Sequence, residues 1–98
     1  MTARRYNENS RWNDQAELKC LYIFKVLQEQ GFPYGKQRKM CIDISEETGL
    51  SAGNLSAKVN NFKSVAGTNN QSNASANTRS IYAEFGRLSS KEVMEVIE

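Results

Sequence analysis

Histidine is absent from this 98-residue chain, and proline occurs only once. The missing histidine removes the usual general base and the commonest metal ligand, and with them any nuclease built on catalytic histidines. The two cysteines, Cys20 and Cys41, form no CxxC pair. Neither a zinc site nor a disulfide framework is therefore indicated, and both read as buried thiols on helices. No apolar run approaches a membrane span, and the polar opening "MTARRYNENSRW" contains no hydrophobic signal segment. A soluble, cytoplasmic protein without metal or cofactor is expected. No nucleophile–base pair stands out, and the adjacent Glu46 and Glu47 read as solvated carboxylates on a helix. Those absences argue against an enzyme and against a small-molecule substrate.

What remains is a chain 39% apolar and rich in Asn, Ser and Gln, enough for one domain with a modest core. The formal charge is only +2, but it is unevenly placed. Residues 1–63 hold ten of the thirteen Lys/Arg and seven of the eleven Asp/Glu, giving a basic front and a mildly acidic end.

Residues 1–11 read as a basic flexible arm carrying Arg4, Arg5 and Arg11. A helical domain follows over 12–88, with a polar loop at about 66–77 and a last helix over 89–98. Asn13 is a suitable first N-cap, with Asp14 near the positive end of the helix dipole. Ala16, Leu18, Cys20, Leu21, Ile23, Phe24 and Leu27 cover more than one side of that helix and make it the spine of the core. Gly31 is placed to stop it, and "FPYG" (Phe32 to Gly35) is a turn. A second helix over 37–48 is anchored by Met40, Cys41 and Ile44. Gly49 ends it, Leu50 fills the angle, and Ser51 caps a third helix running to Phe62 or Lys63. "VAGTNNQSNASANT" (Val65 to Thr78) has no charge and no period. A fourth helix carries Ile81, Tyr82, Phe85 and Leu88, capped by Asn77 or Thr78. Ser89 and Glu92 have capping-box spacing ahead of Val93, Met94, Val96 and Ile97. The fold class is all-α: a small four- to five-helix bundle containing a helix–turn–helix.

The third helix has an unusual outer face. Leu55, Val59 and Phe62 share its apolar side. Opposite them stand Gly53, Ala57 and Asn60, flanked by Asn54, Ser56 and Asn61, where Glu, Lys, Gln and Arg are the better helix formers. A helix entering a DNA major groove, about 12 Å wide, must keep bulk off its leading surface. Gly53 and Ala57 permit close approach, Asn54 and Asn60 have amides suited to bidentate pairing with adenine, and Ser51 or Ser56 can reach a phosphate or base. Lys58 and Lys63 would offer ammonium groups to the phosphate backbone, Lys36, Arg38 and Lys39 would extend that track, and Arg4 and Arg5 would reach a neighbouring groove.

The order of residues also resembles the helical module found at the N-terminus of HNH-type restriction endonucleases and related bacterial or phage proteins. The resemblance rests on Trp12, Glu17, "LKCLYIFKVL" (Leu18 to Leu27), Ile44, "LSAGNLSAKVNNF" (Leu50 to Phe62) and "IYAEF" (Ile81 to Phe85). It covers about residues 11–86, and Lys58 to Phe62 is its most specific part. It implies DNA recognition beside a nuclease and adds weight to Lys58 and Asn61. The departures are Asn13 and Ala16 at the first helix start, the lack of Asp-Pro after Phe62, and Tyr82 in place of Trp. With no nuclease part and no histidine, the expectation is a recognition module acting as an accessory protein of a phage or mobile element, restriction-related and bound to double-stranded DNA. The alternative is a protein–protein interaction module, an adaptor or small inhibitor of a nuclease or defence complex, docking through the Gly/Ala face. A homodimer joined through "VMEVI" (Val93 to Ile97) is compatible with either.

Overall fold

In a computed structural model, which describes residues 4–68 and 74–98, five helices pack around the first. They are α1 (Asp14–Glu29), α2 (Lys36–Thr48), α3 (Ala52–Val65), α4 (Ala76–Phe85) and α5 (Ser90–Ile97). All secondary structure among the described residues is helical. Helix α1 touches the other four, while α3 also packs on α2 and α4. The core follows from the broad apolar surface of α1: Cys20, Leu21, Ile23, Phe24 and Leu27 are buried against Cys41, Leu55, Val59, Phe62, Ile81 and Val93. Each large apolar side chain removed wholly from water contributes about 1.5–3 kcal/mol.

Local chemistry sets the helix ends. The Asn13 side chain accepts from Ala16 N–H and starts α1. At its other end Gly31 (φ 75°) takes the left-handed conformation, and Phe32 N–H returns to Leu27 O at 2.7 Å. The Phe32 ring then lies 6.3 Å from Phe24. Ser89 and Glu92 form the reciprocal capping box that opens α5. Within "VMEVI", Val93 is fully buried against the core as α5 packs on α1, Met94 and Ile97 are half-buried and Val96 is exposed.

Three boundaries differ from expectation. Helix α3 continues to Val65, one turn's fraction beyond Lys63. Helix α4 is capped by Ser75, whose Oγ accepts from Thr78 N–H, rather than by Asn77 or Thr78. The polar loop expected at about 66–77 therefore ends at the Ser75 cap, and its residues 69–73 lie outside the described part of the chain. The expected flexible arm is also tied down from Arg4 onward. The Arg4 guanidinium forms a bidentate pair with Asp14 (2.8 and 2.9 Å) and reaches Ser80 and Glu84 on α4. Asn77 Nδ2 donates to Arg5 O, joining the same segment to α4 again.

Candidate nucleic-acid interface

Helices α2 and α3 meet at Gly49, Leu50 and Ser51. Gly49 sits at φ 72°, where a side chain is strained, and its N–H bonds Ser45 O. Ser45 Oγ donates to Leu50 O at 2.6 Å, and Thr48 Oγ1 accepts from Leu50 N–H at 3.2 Å. Leu50 is buried, as a plug between the helices requires. A Cβ on Gly49 would stand 2.9 Å from Arg11 Nη1, so the Arg11 side chain lies across this corner. Ser51 caps α3 by accepting from Asn54 N–H at 3.1 Å, which occupies one lone pair of its oxygen and leaves its proton for an outside acceptor.

The outer face of α3 is open. Gly53, Asn54, Ala57 and Asn60 are exposed, and Ser56 and Asn61 are half-buried. A Cβ at Gly53 would meet nothing nearer than Ser51 Oγ at 3.9 Å. Gln37, at the start of α2, clasps this face. Its Nε2 donates to Ser56 Oγ (2.8 Å), Ser56 O (3.2 Å) and Asn60 Oδ1 (3.0 Å), while its Oε1 accepts from Lys63 Nζ at 2.6 Å. Its neighbours in the first turn of α2 are half-buried Lys36 and exposed Arg38 and Lys39. Among the described residues Arg38 and Lys39 carry no ion pair, and the Lys36 ammonium bonds Gln30.

Several predicted contacts are redirected. Lys58 does not face outward. Its ammonium donates to Thr78 Oγ1 at 2.9 Å, pairs with Glu17 Oε1 at 3.4 Å and lies 4.5 Å from the Trp12 ring centroid. Glu17 is wholly buried and also accepts from Thr78 Oγ1 (2.7 Å) and Tyr6 OH (3.1 Å). An ionised carboxylate in the core needs such donors. Burial, then hydrogen bonding to Asp14, pushes the Tyr6 phenol well above its ordinary range. Arg4 is likewise an internal group: its side chain is 6% exposed, and hydrogen bonding to Asp14 raises its pKa further. Lys63 is turned onto Gln37 and stands 5.3 Å from the Phe32 ring. Asn60 gives one Oδ1 lone pair to Gln37, which competes with bidentate pairing to a base; Asn54 has no such tie. Arg5 remains exposed.

Glu17 had a readable signal. It lies three, four and seven residues before Cys20, Leu21 and Phe24, on the buried face, and so required a cation. Gln37 and Arg11 had none, because a polar residue beside a turn is ordinarily solvated. Desolvation pushes both buried thiols, Cys20 and Cys41, up from the usual thiol value, which disfavours the nucleophilic thiolate. No group of three His, Cys, Asp or Glu placed to hold a metal occurs among the described residues. No helix there is long and apolar enough to cross a membrane. Comparison with family models, curated proteins and solved structures gives no match for this chain.

Proposed function

We propose that the protein is a non-enzymatic binder of double-stranded DNA, with α3 as the helix that enters the major groove. The observation that carries this reading is the Gln37 clasp. It ties the first turn of α2, which also carries Lys36, Arg38 and Lys39, to the open, small-residue face of α3, so phosphate-pairing cations would lie near the base-reading side chains. Asn54 and Asn60 would contact base edges, Gly53 and Ala57 would allow close approach, and Lys36, Arg38 and Lys39 would pair with phosphates. Arg11, lying over the corner near the start of α3, would pair with phosphates at the other end. Lys58 and Arg4 support the scaffold instead. The resemblance to the recognition module of HNH-type restriction endonucleases supports the same reading and a restriction-related phage or mobile-element setting.

Gel-shift titration of duplex DNA at several salt concentrations tests it. Changing Lys36, Arg38 and Lys39 together to Gln should flatten the log-affinity against log-salt slope by up to roughly 2.7, for three lost phosphate contacts. Asn54→Ala should weaken only the preferred sequence, by about 1–3 kcal/mol. Absence of salt-sensitive binding at micromolar protein would refute the proposal. The interaction-module alternative is favoured by Ile42, a large apolar group half exposed on α2. It predicts a stable protein complex indifferent to the triple Gln change.

A further inference from the structure

The Phe32–Gly35 turn is folded tightly. Gly31, Phe32 and Gly35 all have positive φ, and Pro33 fixes the middle. The two aromatic rings it carries have opposite fates. Phe32 packs toward Phe24 and beneath the Lys63 ammonium. Tyr34 stands free, 106% exposed, with no hydrogen bond or ring contact among the described residues. It forms one wall of a surface groove of about 570 Å³ completed by Gly35, Lys36, Lys39, Met40 and Asp43. The size lies within the roughly 300–1,000 Å³ of sites that hold small organic ligands.

Exposed ring, apolar floor and paired cations suit one chemistry, that of a nucleotide. An aromatic face stacks on a base of any identity, while ammonium groups hold the phosphates on either side. Met40 supplies the floor, and Asp43 is the single carboxylate on the wall. A base inside a duplex is already stacked on both faces, so the ring would take an unpaired one. A smaller depression beside this groove shares Tyr34 and Gly35 with it and is also lined by Pro33, Gln37 and Lys63. Gln37 touches Ser56 and Asn60 on the outer face of α3. Gln37 thus has contacts both beside the Tyr34 turn and on that face.

We propose that the Tyr34 groove receives an unpaired nucleotide adjoining the duplex held by α3, with the Tyr34 ring stacked on its base and Lys36 and Lys39 on the flanking phosphates. This rests on the DNA-binding reading of α3 and narrows its substrate to duplex with a single-stranded extension, nick flap or extruded base.

Fluorescence anisotropy with one labelled duplex, blunt or bearing short single-stranded extensions at either end, tests it. The wild-type protein should bind an extended duplex more tightly than the blunt one. Tyr34→Ala should erase that gain, about five- to 150-fold, and leave blunt-duplex affinity unchanged. Tyr34→Phe should keep the gain, because stacking needs the ring and not the hydroxyl. Since Tyr34 packs on nothing, the Ala variant should melt like wild type, which thermal denaturation checks. Equal binding of blunt and extended DNA, or a gain that survives Tyr34→Ala or vanishes in Tyr34→Phe, overturns this proposal and leaves α3 as the duplex reader. Failure to bind any of these DNAs overturns both.

Discussion

Replacing Lys58 with Met distinguishes a scaffold role for this residue from a DNA contact. Its ammonium and the Glu17 carboxylate are 3.4 Å apart, with side chains 12% and 1% exposed. Removing one member of a buried pair costs about 3–5 kcal/mol, because the survivor stays charged where water cannot reach it. Glu17 would keep its bonds from Thr78 and Tyr6, and Met would keep an apolar stem of similar length while losing the ammonium's contact with the Trp12 ring. The expected loss therefore lies near the lower end, about 3 kcal/mol. Against a total stability of roughly 5–15 kcal/mol this is a large fraction. At about 4–8 °C per kcal/mol, it corresponds to a melting temperature lower by roughly 12–24 °C. Adding Glu17→Met should restore much of the loss, because the two hydroxyls retain other partners: Thr78 with Ser75, Tyr6 with Asp14. Urea denaturation of the wild type, both single variants and the double variant measures the coupling. A Lys58→Met loss below about 1 kcal/mol, or additivity of the two changes within about 0.5 kcal/mol, would refute the buried-pair argument. The same variant, assayed cold where it remains folded, should leave the salt slope of DNA binding unchanged. A fall of about 0.9 would put the ammonium on a phosphate after all.

Asp14 gives a pH dependence. Hydrogen bonding from Arg4 lowers its folded pKa below the ordinary 3.8, so its contribution is fully present above that value and lost as pH falls through the lower folded one. Because the Asp14 side chain is 48% exposed, water screens the pair and its contribution stays within about 1 kcal/mol; Asp14→Asn should flatten the acid limb of a stability–pH profile by that amount. Gly49→Ala should cost about 1–2 kcal/mol through its left-handed backbone alone. Most of that loss should persist with Arg11→Ala, since the guanidinium end can swing aside; full recovery would show a steric origin.

Much of the architecture is legible in the chain because the signals are local. Gly31, Gly49, Ser51 and the Ser89–Glu92 pair mark ends whose bonding partners lie within a few residues. The cap of α4 is not fixed by the sequence, because Ser75, Asn77 and Thr78 are all competent caps; the choice falls on Ser75 while Thr78 turns to Glu17. The exposed face of α3 followed from helical phase, as did the burial of Leu55, Val59 and Phe62. The lysines were not legible. Lys58 lies between the apolar and open sides of α3, and a four-carbon stem can turn either way. Its direction is fixed by Glu17 and Thr78, 41 and 20 residues away along the chain. Arg4 likewise depends on Asp14 and Glu84, whose meeting no spacing announces.

The Gln37 clasp also has an entropic consequence. Flexible side chains ordinarily surrender rotamer freedom on meeting a partner, at about 0.5–1.5 kcal/mol each. Asn60, Ser56 and Lys63 have already yielded much of theirs to one amide during folding. Whatever docks on that side of the molecule therefore encounters a surface whose shape is largely settled beforehand.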